Sequence, residues 1–312
     1  MEERQVNVPI ANAISDWMAK YKLNSVKTAT YDRLETSLTM MSKYQIAKIL
    51  LKELESSDIQ SYINQLVDDG YALSTIKKQF NLLSGFLRWA NTEGIISRPI
   101  YNNVKLPSQS VVQKPKKAVP VYTEEEQRAL RTILLTGEKP GYGAALLMME
   151  MGFRVGEVLA LSWDDVNWNR KAITVSKTLV RLVNRKRLFV QQGAKSYTSN
   201  RTIPMSKIAY DLFREMRLHN LHPSGYIFAN ENGDPLSYEA MRYQIGLACE
   251  KAGVPYLGQH VFRHTFATNC FYKGCNVKIL SKLLGHADVS ITYNTYIHLF
   301  GDALEEMRSV VD

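Results

Sequence analysis

Cysteine is scarce in this chain: three residues, Cys249, Cys270 and Cys275, among 312. They cannot all pair, and so few argue against a disulfide-framed secreted scaffold and fit a reducing cytoplasm. Long apolar runs are missing too. No stretch approaches the roughly 20 residues that cross a bilayer, so no membrane partner is expected. The opening Met1-Glu-Glu-Arg-Gln5 is polar and lacks the apolar core of a secretory signal. Internal repeats and low-complexity tracts are absent, and the second half has no clustered Asp/Glu constellation.

The residues present describe a globular protein: 45% hydrophobic and 22% charged. A chain of 312 residues exceeds one ordinary compact core and predicts two domains. The formal charge of +9 leans toward a polyanionic partner. Alone it permits nucleic-acid binding without showing it.

The first hundred residues read as a small helical bundle. Ile10, Ile14, Trp17, Met18 and Tyr21 keep helical spacing, as do Ile59, Tyr62, Ile63 and Leu66, with Ser57 placed as a cap and Gly70 as a stop. A helix is expected within 27–42, and a longer one after Ser74, burying Ile76, Phe80, Leu83 and Leu87 before Gly94. From Pro99 to Pro120 the period disappears. Pro107, Pro115 and Pro120 with Lys114, Lys116 and Lys117 read as an extended basic linker over 107–119.

A second domain, 120–312, opens at Thr123, where Thr-Glu-Glu-Glu forms a capping box with Glu126. Helices are expected at about 142–151 and 155–162. Strand-like alternation follows at Ala172-Ile-Thr-Val-Ser and Arg187-Leu-Phe-Val-Gln, ending near Arg201-Thr-Ile-Pro204. Helices return at about 206–219, 238–252, 260–273, 277–284 and 289–297, with Gly253, Gly274 and Gly285 at expected stops. The fold class is therefore mainly α with a small β-sheet: a helical domain over 1–106 and an α+β domain after the linker.

Four segments of the second domain could carry chemistry: Met151-Gly-Phe-Arg-Val-Gly-Glu157, Lys195 before Arg201-Thr-Ile-Pro204, His260-Val-Phe-Arg-His264, and Leu284-Gly-His-Ala-Asp288 leading to Tyr296. His260 and Arg263 are three apart on a predicted helix and share a face. Arg154 follows a glycine at a helix start, near amides that favour anions. Arginine forks match phosphate oxygens, so two arginines with two histidines can form a phosphate cradle. Any one segment alone reads as ordinary surface arginines and satisfied histidines. His260 and His264 share the spacing of a zinc-protease helix, but Val261 stands where that motif needs a glutamate, and Cys270 and Cys275 lack finger spacing.

Taken in order, the segments resemble the tyrosine recombinase, or phage integrase, family, and most nearly phage or conjugative-transposon integrases. The resemblance covers the whole second domain, and the first looks like the family's helical core-binding domain from Val8 to Leu106. It implies that Arg154 is the first catalytic arginine and Glu157 the acid that helps hold it. Lys195 matches the lysine of the β-hairpin loop, and His260 and Arg263 match the His-x-x-Arg pair. His286 matches the histidine-or-tryptophan position, and Tyr296 the nucleophile. Tyr293, one turn earlier, competes for that role, and only the spacing from His286 selects Tyr296. Integrases of this kind usually carry a further amino-terminal arm-binding domain, whereas here the core-binding pattern begins almost at once.

The implied reaction is site-specific cleavage and rejoining of double-stranded DNA through a 3′-phosphotyrosine, with strand exchange through a Holliday junction. It needs neither ATP nor a metal, and no cofactor is expected. The family implies a C-shaped clamp, a homo-tetramer on paired sites, and an accessory directionality or host DNA-bending factor. Its setting is the cytoplasm of a prokaryotic cell or phage-infected host. The linker and the run Arg181, Arg185, Lys186, Arg187 are expected to meet phosphates. Leu304, Met307 and Val310 give the tail an apolar stripe that docks on its own domain or a neighbour's. Rival classes are a resolvase or inversion enzyme of the same chemistry, a non-catalytic DNA binder, and a metal-dependent nuclease.

Overall fold

The computed structural model describes residues 7–112, 120–182, 184, 187–193, 200–218 and 225–296, with Tyr296 as backbone only. Most of the proposed linker, Lys195, Arg185, Lys186 and the tail from 297 onward lie outside the described residues. Contacts divide the chain into two compact units, residues 1–117 with 181–187, and residues 118–180 with 188–312. The sequence had assigned 181–187 to the second domain.

The first unit is helical: α1 (Ile10–Trp17), α2 (Thr28–Met41), α3 (Ser56–Asp68) and α4 (Leu73–Thr92). Its core holds most of what the periodicity selected, with Ile10, Ile14, Ile59, Ile63, Ile76, Leu83 and Leu87 fully buried, whereas Phe80 is half-buried and Tyr21 exposed. The rings of Trp17 and Phe86 meet edge-on at 5.8 Å. The single helix expected over 10–21 ends in a widened turn, Met18–Lys22, where the Leu23 amide reaches back five residues to the Met18 carbonyl. Ser57 is not the cap of α3. The helix begins one residue earlier, and the Glu55 amide donates to the Asp58 carboxylate, closing a capping box around Glu55. Within the expected linker, Gln109–Val112 form one helical turn.

The second unit is built on α6 (Pro140–Met151), whose Gly-Tyr-Gly-Ala-Ala-Leu-Leu-Met-Met run is buried on every side. Such a helix is central rather than amphipathic. Around it pack α5 (Glu124–Leu134), the short α7 (Val155–Leu159), α8 (Lys207–Leu218), α9 (Tyr238–Ala252) and α10 (Gln259–Tyr272). The Thr123 capping box is present: its hydroxyl accepts from the Glu126 amide at 3.2 Å, and its own amide donates to Glu126 at 2.8 Å. Two short helices follow, α11 (Val277–Leu284) and α12 (Val289–Tyr296).

The strands form two ladders rather than one sheet. In the three-stranded ladder β2 (Ala172–Val175) lies between β1 (Val166–Asn167) and β5 (Arg201–Pro204), all antiparallel, with Ile173 opposite Ile203. Pro204 is tolerated because β5 is an edge strand. The other ladder is β3 (Lys177–Leu182) with β4 (Arg187–Gln192). The apolar alternation had indicated only β4. Among the described residues no helix is long and apolar enough to cross a membrane.

Candidate active site

The site forms where α11 ends. An α-helix leaves its last carbonyls without partners, and its C-terminal end attracts cations. Here three consecutive carbonyls are each taken by a different arginine. Arg201 Nε donates to the Leu283 oxygen at 2.7 Å, Arg263 Nη2 to Leu284 at 2.8 Å, and Arg154 Nη2 to Gly285 at 2.8 Å. The arginines come from β5, α10 and the residue before α7, so this helix end gathers three parts of the chain.

Gly285 ends α11 in the left-handed conformation, φ +64°, and a Cβ there would sit 2.8 Å from Arg201 Nη1. Both facts call for glycine. Gly152, which ends α6 at φ +70°, is held as tightly. A Cβ would come within 2.4 Å of the Phe266 ring, and its carbonyl accepts from Arg263 Nη1 at 2.7 Å.

Glu157 is buried and joins two of the arginines. Its carboxylate accepts from Arg154 Nη1 at 2.8 Å and from Arg201 at 3.0 and 2.8 Å. It also takes the Arg154 amide at 2.9 Å, so that amide is already occupied by a carboxylate, contrary to the anion-binding role suggested by its place at a helix start. Burial alone would raise the carboxyl pKa, but Arg201 and Arg154 overcome it and hold Glu157 at about 2. The Arg201 side chain is 7% exposed against 35% for Arg154, so Arg154 keeps a face toward solvent and Arg201 is shut in.

His286 follows Gly285, its amide returning to the Ser281 carbonyl. Its Nε2 lies 2.9 Å from Arg263 Nη2 and its Nδ1 2.7 Å from the Thr292 hydroxyl. Burial, then the charges of Arg263, Arg154 and Arg201, push its pKa down to about 4, so the ring is neutral at pH 7. His260, at the start of α10, is solvent-exposed. Partial desolvation and the nearby Arg263 and Arg154 still hold it below the usual imidazole range. His264 is shifted the same way by burial, Arg263 and His260.

Of the six residues singled out in the sequence, the structure joins Arg154, Arg263 and His286 through hydrogen bonds and puts His260 within their field. Tyr296 is the last residue of α12, and Asp288 takes the Ser290 amide where that helix begins. Lys195 lies outside the described residues. Two members of this hydrogen-bonded cluster were missed, Arg201 and Thr292. Arg201 was noticed only as a strand residue, although a lone arginine on an alternating strand was the available sign.

Residues 121–302, more than half of the chain, match the phage integrase family, and residues 10–106 match the phage integrase SAM-like domain. The chain is 26% identical to a tyrosine recombinase XerC-like protein of Caldanaerobacter subterraneus subsp. tengcongensis, over 94% of this chain and 80% of the relative. Its fold is similar to a Tn1549 transposon integrase in complex with a circular intermediate DNA, with a TM-score of 0.79 at 19% identity, covering 97% of this chain and 99% of the other. It is also similar to a lambda integrase tetramer bound to a Holliday junction, with a TM-score of 0.63 at 17% identity, covering 92% and 77%.

Proposed function

The chain belongs to the phage integrase family and is a tyrosine-type site-specific DNA recombinase, and we propose that Arg154, Lys195, His260, Arg263, His286 and Tyr296 carry its reaction. The observation that supports this most is the row of three carbonyls, Leu283 to Gly285, that fixes the arginines immediately before the segment bearing Tyr296.

In this reading the Tyr296 oxygen attacks the scissile phosphorus, a P–O bond to tyrosine forms, and the bond to the 5′-oxygen breaks. The phenol proton passes toward His260, whose depressed pKa keeps it unprotonated and able to accept. Lys195 gives a proton to the leaving 5′-oxygen. Arg154 and Arg263 meet the charge that builds on the non-bridging oxygens, and because they are already oriented, little reorganisation is needed. His286 is neutral with its Nε2 turned to Arg263, so it orients that arginine. It becomes a donor to phosphate only on gaining a proton, which an incoming anion favours. The 3′-phosphotyrosine conserves the bond energy, so a free 5′-hydroxyl rejoins the strand without ATP. Strand exchange then passes through a Holliday junction.

The partners in this reading are double-stranded DNA and three further copies of the chain on paired sites, with an accessory directionality or DNA-bending factor. The core-binding domain over 1–106, the basic linker over 107–119 and the catalytic domain over 120–312 divide the work. The test is incubation with a nicked suicide duplex, followed by a denaturing gel. A covalent protein–DNA band that persists in EDTA is expected. Cleavage without a covalent band, or cleavage lost in EDTA, points to a metal-dependent nuclease instead.

A further inference from the structure

The buried hydroxyl of Thr292, 1% exposed, sits 2.7 Å from His286 Nδ1, and the other ring nitrogen faces Arg263 at 2.9 Å. An arginine side chain has donors and no acceptor. His286 Nε2 therefore accepts from Arg263, which leaves Nδ1 to carry the ring proton. That proton has one direction to go in this geometry, onto the Thr292 oxygen. Arg263 thus fixes the tautomer from one side, and Thr292 is the acceptor that suits it on the other.

Thr292 is four residues before Tyr296, one turn away on the same helix. The carbonyls of Leu283, Leu284 and Gly285 hold the arginines, and His286 is the next residue. We infer that Thr292 is a positioning residue for strand cleavage: its hydroxyl ties the helix that bears Tyr296 to the arginine cradle through His286, and sets the imidazole tautomer that keeps Arg263 oriented. The inference rests on the assignment of Tyr296 and the cradle given above. It adds a residue that acts through two others and touches no DNA atom itself.

An ordinary hydrogen bond, if it is made in the reaction, is worth up to about tenfold in rate. Thr292→Val keeps the shape of the side chain and removes the acceptor, whereas Thr292→Ser keeps the acceptor and removes a methyl group. The full-length variants are compared on a nicked suicide duplex that the unaltered chain converts to covalent adduct, with duplex binding measured in parallel. In the DNA-free protein, imidazole 15N shifts report the tautomer of His286. The expected result is adduct formation slowed several-fold to about tenfold in Thr292→Val, restored in large part in Thr292→Ser, with binding unchanged and the Nδ1-protonated tautomer seen in the unaltered chain. Unaltered cleavage by Thr292→Val overturns the inference, as does an Nε2-protonated His286 in the unaltered chain. Equal slowing of both variants with an unchanged imidazole signal also overturns it, because packing alone then accounts for the loss. Adduct formation by Tyr296→Phe overturns the nucleophile assignment beneath it, a result separable from all of these.

Discussion

The two units of this molecule place their cations in opposite ways. In the helical unit the buried polar side chains include Gln79, which takes a hydrogen bond from the Tyr62 hydroxyl at 3.0 Å, and Ser84. One acid, Asp32, is buried there too and accepts from the Asn184 amide at 3.1 Å, while the cations Arg33, Lys77, Lys78 and Arg88 are exposed. In the second unit Arg263 is 6% exposed, the Arg201 side chain 7%, and Glu157 is buried between arginines. Burying charge costs several kcal/mol per ion unless it is closely paired and hydrogen-bonded. Under the proposed function the bundle's exposed cations would meet only a polyanion's outer phosphates, a task with no reason to bear that cost. A site that must present fixed positive charge to one phosphate does, because orientation settled in advance is what stabilises a transition state. The contrast is between attraction, which exposed lysines supply, and geometry, which needs burial.

The sharpest break of that contrast is Tyr296→Phe. It should lower covalent adduct formation by roughly 10⁴-fold or more, since the nucleophile is gone, while binding stays near the original level. Tyr293→Phe loses the same atom one turn away and should still form adduct. A denaturing gel with labelled suicide DNA separates the two, and the reverse pattern would move the nucleophile by one helical turn.

Lys195→Ala should slow cleavage of ordinary DNA by about 10²–10⁴-fold. DNA with a 5′-bridging sulfur leaves without a proton and should slow far less. Equal slowing of both substrates would give Lys195 some other task.

Glu157→Gln tests the buried charge itself. Removing one partner of a buried pair typically costs about 3–5 kcal/mol, to be read from denaturant unfolding. The pH dependence has a definite sign. Glu157 is held at about 2, below its ordinary 4.5, so its contribution is complete above about pH 4.5 and fades as pH falls toward 2. The stability gap between the unaltered chain and Glu157→Gln should therefore close over that window. A gap that stays constant would mean the carboxylate charge is not what stabilises the cradle.

The smallest effect is expected in the bundle. Lys77→Ala with Lys78→Ala, both exposed on α4, should weaken duplex binding a few-fold and reduce the salt slope by about two. Once the duplex is saturated, adduct formation should proceed at the original rate. A loss of chemistry there would blur the division between attraction and geometry.

Whatever depends on near neighbours was legible in the chain. The 3.6-residue period found Ile10, Ile14, Ile59 and Ile63, the Thr123–Glu126 capping box fixed the start of α5, and the stop at Gly285 followed from the left-handed turn that glycine permits. The order of short motifs was enough to single out Arg154, Arg263 and His286, because each motif keeps its own spacing. It misplaced Ser57 and did not reveal β3, where capping by Asp58 and ladder pairing with β4 outweighed the local pattern. That Arg201 joins their cluster is set by packing, which carries it to Leu283 across 82 residues and to Glu157 across 44. Packing alone put Arg263 on the Gly152 carbonyl, 111 residues away, and set the ring of His286 between Arg263 and Thr292. The reason is physical: unpaired carbonyls at a helix end bind whichever cations the packed core brings within 3 Å, and no local period in the chain records which those are.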